Sequence, residues 1–177
     1  MPEQTRATPD DLFQFLSGEG IAVTTVEHPP LFTVEESRRL RGEIAGGHSK
    51  NLFLKDKKGN IFLVVALEDA TIDLKQIHGL IGASGRVSFG KAELLVEVLG
   101  VEPGAVTPFG LFNDRTTHRV QPVFDARMMQ EEVLNFHPLI NTATTTIARD
   151  DLLKFARACG HDPRVLAVSE ESVAAGL

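Results

Sequence analysis

Apolar residues recur along this chain with two different periods, and the switches between them mark out the elements. Leu12, Phe13, Phe15 and Leu16 form a stripe at helical spacing. Thr8-Pro9-Asp10-Asp11 precedes it, with a threonine N-cap, a proline in the first turn and acids where the helix dipole favours them. Gly18 and Gly20 end it. Ile21 to Val26 reads as a strand halted by His28-Pro29-Pro30. Thr33-Val34-Glu35-Glu36 is a capping box opening a short helix through Leu40, and a glycine-containing loop follows from Gly42 to Ser49. Leu52 to Leu54 and Ile61 to Leu67 are apolar runs around Lys57-Lys58-Gly59-Asn60, the pattern of a β-hairpin.

Downstream, Asp73 to Ile81 and Lys91 to Leu99 are expected helices, the second closed by Gly100. Val106 to Phe112, Val120 to Phe124, Leu134 to Phe136 and Thr142 to Ile147 are expected strands, the last rich in threonine. Asp150 to Cys159 reads as a final helix closed by Gly160, and Ser169 to Leu177 as a frayed tail. Strands and helices mix without strict βαβ alternation, and hairpins are frequent. The expected class is therefore α+β, a largely antiparallel or mixed sheet with helices packed outside. With no repeat, low-complexity segment or internal linker, residues 1–177 are expected to form one domain.

Composition narrows this picture. A chain of 177 residues that is 42% hydrophobic can bury a real core, and 24% charged residues is ordinary for a globular protein. The opening MPEQTRATPDD has no apolar run, and no stretch is long enough to span a bilayer, so neither a signal peptide nor a membrane segment is expected. The single cysteine, Cys159, excludes an internal disulfide and fits a reducing cytoplasm. A net charge of −6 argues against a protein that coats nucleic acid non-specifically. Yet Arg38, Arg39, Arg41, Lys50, Lys55, Lys57 and Lys58 crowd one stretch against only Glu43 and Asp56. Such a patch suits a partner gripped at one end, although a solvated lysine-rich turn accounts for part of it.

Several familiar chemistries fail on inspection. Gly42-Glu43-Ile44-Ala45-Gly46-Gly47-His48-Ser49 nearly spells a phosphate-binding loop, but His48 stands where lysine is needed and no buried strand precedes it. The six histidines lack the close helical pairings of zinc enzymes and Cys159 has no cysteine partner, so no metal or other cofactor is expected. Cys159 shares a helix with Leu152, Leu153 and Phe155 and reads as a small buried hydrophobe. No serine occupies a G-x-S-x-G elbow, so hydrolysis here would lack a covalent intermediate.

Three segments remain unexplained by composition. His48-Ser49-Lys50-Asn51-Leu52-Phe53-Leu54 puts a lysine at the entrance of an apolar strand, where a solvated role is the plain alternative. Pro103-Gly104-Ala105-Val106-Thr107-Pro108-Phe109-Gly110-Leu111 can expose backbone groups to a ligand, or be a simple loop. Asn135-Phe136-His137-Pro138-Leu139-Ile140-Asn141-Thr142-Ala143-Thr144 sets a histidine and an asparagine around a proline turn.

In this order the three segments resemble the YbaK/ProX family of prolyl-tRNA editing domains: a K-N-L-F-L strand with a lysine-rich hairpin, then G-x-x-x-P-F-G-L, then F-H-P-L-x-N-T-A-T. The likeness runs from about Thr8 to Gly160, and the last segment is similar to the alanine-directed branch. The resemblance implies a mixed, barrel-like sheet wrapped by helices, with the aminoacyl end of tRNA entering a cleft. It implies a cytoplasmic, trans-acting hydrolase that removes alanine from mischarged Ala-tRNA(Pro). Cysteine or serine on the same tRNA remains an alternative, as does a non-catalytic module that binds tRNA or a synthetase. Its partner would be the acceptor end of tRNA(Pro), with prolyl-tRNA synthetase a second candidate.

By motif position the resemblance assigns catalytic places to Lys50, Gly104 and His137, and substrate contacts to Asn51, Phe109, Gly110, Asn141 and Thr142. Lys50 would stabilise negative charge on the ester or hold the terminal phosphate. A backbone carbonyl near Gly104 or Gly110 would orient the water, and His137 would position the substrate or shape the pocket, with a role as base the alternative. A closed apolar pocket rejecting proline by size would give specificity, with Phe109 as a candidate wall.

Overall fold

Seven consecutive residues, Ile61–Leu67, are buried without interruption. A strand loses its polar alternation when both its faces are covered, and this one (β3) has an apolar cluster on each side. Leu63 and Val65 face a large cluster with Phe109, Phe124, Leu134 and Phe155. Phe62 and Val64 face a smaller one with Leu54, Ile77, Ile81 and Val168. The structure is a computed structural model, and it describes residues 6–30, 36, 39, 42 and 44–177.

In chain order the elements are α1 (Pro9–Gly18), β1 (Val23–Glu27), β2 (Gly47–Lys55), β3, α2 (Ile77–Ile81), β4 (Ser88–Phe89) and α3 (Ala92–Leu99). Then come two 3-10 segments (Pro103–Ala105 and Pro108–Asp114), β5 (Val120–Asp125), a 3-10 turn (Met128–Gln130), β6 (Val133–Phe136) and β7 (Ala143–Ala148). The chain ends with α4 (Arg149–Ala158), β8 (Arg164–Leu166) and α5 (Glu170–Ala174). The sheet order is β1-β7-β6-β2-β3-β5-β8, with β4 also on β2. Parallel contacts (β2–β6, β3–β5, β5–β8) mix with antiparallel ones (β1–β7, β6–β7, β2–β3, β2–β4), giving the expected mixed α+β architecture.

Local chemistry explains most of the elements. Thr8 and Asp11 form a reciprocal capping box at the start of α1. Gly100, at φ 67°, closes α3 in the left-handed conformation. In the hairpin turn, Asp56 accepts from the amides of Lys58, Asn60 and Ser84 and from the Asn60 side chain. Burial opposes its ionisation, but those donors win and hold its pKa at about 2. Cys159 is buried, and that burial pushes its thiol up to about 12, in keeping with its reading as an inert hydrophobe.

Four expectations change. Val106 to Phe112 is not a strand: Pro103 and Pro108 remove ladder donors, and the Thr107 hydroxyl accepts from Phe109 N to open the second 3-10 segment. The loop expected from Gly42 to Ser49 ends early, because β2 already begins at Gly47. Helix formation over Asp73 to Ile81 is confined to Ile77–Ile81. Ser169 to Leu177 is no frayed tail, since Ser169 caps α5 and is tied to buried Asp125. Strands β4 and β8 were not anticipated; each is short and exists through its neighbour. The capping box at Thr33-Val34-Glu35 and the end of its helix at Leu40 lie outside the described residues.

Candidate active site

Strand β2 changes partners along one edge. Gly47 and His48 pair in parallel with Leu134 and Asn135 of β6, whereas Leu54 and Lys55 pair with β4. Among the described residues no strand pairs with that edge between Ser49 and Phe53, so the sheet opens there into a seam. Lys50 and Asn51 stand on the seam. Beyond the last paired residues, His48 and Asn135, the next two steps along the parallel strands reach Lys50 and His137, so pairing delivers both to one end of the β2–β6 contact.

Close approach of β2 to β6 depends on glycine. A Cβ on Gly47 would come 2.9 Å from Leu67 Cδ2, and Gly46 has φ 104° with Val133 Cγ2 at 2.8 Å from its would-be Cβ. Asn135 stitches the junction: its Nδ2 donates to the Ala45 carbonyl at 3.1 Å, and its own carbonyl accepts from Ser49 Oγ at 3.0 Å. Its Oδ1 accepts from Thr146 Oγ1 at 2.5 Å. Gly46 and Gly47, two glycines of the stretch that resembles a phosphate-binding loop, therefore serve a strand junction.

Lys50 is half-buried, and its Nζ donates to the carbonyl of Ala70, in the segment after β3. Asn51 alternates with it on the pleat and sits on the face of Phe53. Its Oδ1 is buried and has no hydrogen-bond partner. Lys57 and Lys58 lie in the turn at the far end of the hairpin, beyond Lys55, which is itself about 17 Å along the strand from Lys50. The basic stretch in the sequence is thus divided, and Arg38 and Arg41 fall outside the described residues.

His137 follows β6 directly. Its Nδ1 contacts the Ala143 carbonyl at 3.1 Å, which fixes the proton on Nδ1 and leaves Nε2 as the acceptor in the neutral ring. Burial lowers its pKa; the bond to Ala143 opposes that shift, and nearby His28 adds to it. The loop from His137 to Thr142 contains Leu139 at φ 71°, a left-handed conformation unusual for leucine, held by its buried side chain. Gly104 is exposed, and a Cβ there would lie 3.3 Å from Asn141 Nδ2, so the proline-rich turn and the histidine loop touch at this pair. Thr142 is exposed, and its carbonyl accepts from the His28 amide at 2.9 Å.

Phe109 and Gly110 are not at this surface. Phe109 is 0% exposed, packed edge-on against Phe136 and Phe155 with centroids 6.0 and 5.4 Å away. A Cβ on Gly110 would meet Leu99 Cβ at 2.9 Å, so this glycine admits α3. The expected pocket wall at Phe109 is therefore corrected to a core support beneath Phe136, the residue before His137. Sequence reading overlooked His28 and Thr144. The β1–β7 pairing brings them together, and His28 Nε2 contacts Thr144 Oγ1 at 2.8 Å while its Nδ1 serves the Pro29 carbonyl. The signal available was only a histidine at a strand end.

The aminoacyl-tRNA editing domain model matches residues 28–155. The prolyl-tRNA synthetase associated domain-containing protein 1 of Mus musculus is 39% identical over 160 residues, covering 88% of this chain and 94% of its own. The prolyl-tRNA editing protein ProX of Acetoanaerobium sticklandii is 39% identical over 142 residues, covering 80% and 85%. Among solved structures, one provisionally described as a trans-editing enzyme for prolyl tRNA synthetase superposes with a TM-score of 0.67 at 20% identity, covering 90% of this chain and 97% of that one. The crystal structure of hypothetical protein APE2540 superposes at 0.69 with 20% identity, covering 90% and 99%. No helix among the described residues is long and apolar enough to cross a membrane.

Proposed function

The chain belongs to the family of aminoacyl-tRNA editing domains, and on that premise we propose that it removes a wrongly attached amino acid from tRNA(Pro), with alanine as the amino acid it takes. The observation that carries this reading is the seam in β2, where Lys50 and Asn51 stand at an opening reached also by His137.

Aminoacyl-tRNA is an activated ester. Its hydrolysis needs a positioned water and stabilisation of negative charge on the carbonyl oxygen more than it needs a strong base. Lys50 supplies a cation with one donor already engaged by Ala70 and two left for the ester or the terminal phosphate. Asn51 Oδ1 is an acceptor without a donor, and the amino acid's ammonium would satisfy it. His137 stays neutral near pH 7 and offers Nε2 as an acceptor that orients substrate or water. The exposed backbone at Gly104 touches Asn141 of the histidine loop, which supports a role for a carbonyl of this turn in aligning the water. Water then adds to the ester carbonyl, one of its protons passes to the tRNA 3′-terminal ribose oxygen as that bond breaks, and alanine and tRNA leave.

The test is deacylation of Ala-tRNA(Pro), Cys-tRNA(Pro) and Pro-tRNA(Pro) by the purified protein and its Lys50→Ala variant. Loss of alanine that depends on Lys50, with proline spared, is the expected result. Faster loss of cysteine would reassign the substrate, and no hydrolysis of any of the three would overturn the enzymatic reading.

A further inference from the structure

The carbonyl that holds Lys50 belongs to the peptide unit joining Ala70 to Thr71. The amide of that same unit, Thr71 N, donates to the Glu171 carboxylate at 2.9 Å from Oε2 and 3.2 Å from Oε1. The Thr71 hydroxyl donates to Glu171 Oε1 at 2.8 Å, and the Thr71 carbonyl accepts from Glu170 N at 2.9 Å. All three polar groups of Thr71 thus engage the first turn of α5. On the other side of Ala70, Asp69 pairs with Arg127 at 3.1 Å, and Arg127 N donates to Ser172 Oγ at 2.9 Å.

Helix α5 is fixed in turn. Asp125, fully buried at the end of β5, accepts from Val168 N, from Ser169 N and Oγ, and from Ser172 Oγ, at 2.7 to 3.1 Å. A continuous path therefore runs from the central sheet through Asp125, α5 and Glu171 to the Ala70–Thr71 peptide and Lys50. A peptide unit is planar, so fixing its N–H fixes the direction of its C=O. A carboxylate on the N–H side also polarises the unit and strengthens the carbonyl as an acceptor.

We propose that Glu171 is a positioning residue for Lys50, setting the Ala70–Thr71 peptide plane so that the Ala70 carbonyl holds the lysine amine at the seam. The inference rests on the assignment of Lys50 as the charge-stabilising group, and it makes the C-terminal helix, which contacts no reacting atom, part of the editing machinery. Glu171→Ala frees the peptide to rotate and the amine to wander. Glu171→Gln retains an oxygen for Thr71 N–H without the charge, and should recover part of the effect.

The experiment has two readouts on the full chain. In the first, Glu171→Ala lowers kcat for Ala-tRNA(Pro) about fivefold or more with KM little changed, Glu171→Gln lies between it and wild type, and Glu171→Ala adds no further loss in a Lys50→Ala background. In the second, independent of activity, Lys50 is labelled by an amine-reactive acylating reagent and mapped by peptide mass, with Glu171→Ala raising its labelling rate several-fold. Thermal melting checks that the variants are folded, and Thr71→Val supplies a second break at the same link. Unchanged Lys50 labelling in folded Glu171→Ala and Thr71→Val overturns the proposal. Faster labelling in variants whose wild type deacylates nothing upholds the positioning and sinks the enzymatic reading instead.

Discussion

The Nδ1 atom of His137 lies 3.1 Å from the carbonyl oxygen of Ala143, across the loop that joins β6 to β7. A carbonyl can only accept, so this contact decides which nitrogen carries the proton and leaves Nε2 free. Because Nε2 is the acceptor that the deacylation reading uses, the acid limb of the reaction should report on this ring.

Burial holds the His137 pKa below its ordinary 6.5. The unfolded chain therefore takes up a proton near pH 6.5 that the folded protein refuses, and stability should fall as pH drops below that value. Chemical denaturation between pH 7.5 and 5 should show this slope, and His137→Gln should flatten it. In the same window kcat/KM, which reports the free enzyme, should decline as Nε2 becomes protonated, with the midpoint below 6.5. A midpoint above 6.5 would remove His137 from the substrate.

Lys50→Ala should lower kcat/KM for Ala-tRNA(Pro) about 100-fold or more, the scale of losing a charge donor in a confined site. Lys50→Arg should recover little, because a planar guanidinium cannot take the place of a compact ammonium against the Ala70 carbonyl. A binding module would tolerate the arginine, so comparing the two variants in tRNA binding and in turnover separates the readings.

Phe109→Ala should act on stability and not on selectivity. The ring is wholly buried against Phe136 and Phe155, and its removal should cost about 3–5 kcal/mol in urea unfolding. Phe109→Leu, which keeps most of the volume, should leave the ratio of alanine to proline release unchanged. A changed ratio in that variant would return Phe109 to the pocket.

Gly104→Ala should reduce turnover with little effect on melting temperature. The residue is exposed, and the added methyl would sit 3.3 Å from Asn141 Nδ2, so the strain falls on the contact between the two site loops. Turnover several-fold below wild type at unchanged Tm is the expected pattern, and Gly104→Val should deepen it. Full activity in both variants would exclude this turn from the site.

Elements built from local signals were legible in the sequence: the boxed start of α1, the glycine closing α3, the hairpin of β2 and β3, and the buried run Ile61–Leu67. Periodicity and caps act within a few residues, so a linear reading reaches them. The three motif segments were also legible by residue type and order, and with them the proposal of Lys50, Gly104 and His137 as site residues. Tertiary structure decided what those residues can do. The seam exists because β2 exchanges β6 for β4, a pairing between segments about 85 and 35 residues distant in sequence. The same chemistry, an apolar phenylalanine in a proline-rich turn, reads as a pocket wall or as core, and only packing against α4 and β6 places Phe109 inside. Ser169 to Leu177 looked frayed because its helix is too short to stand alone, and it is ordered by Asp125 and Thr71, partners that no local pattern announces.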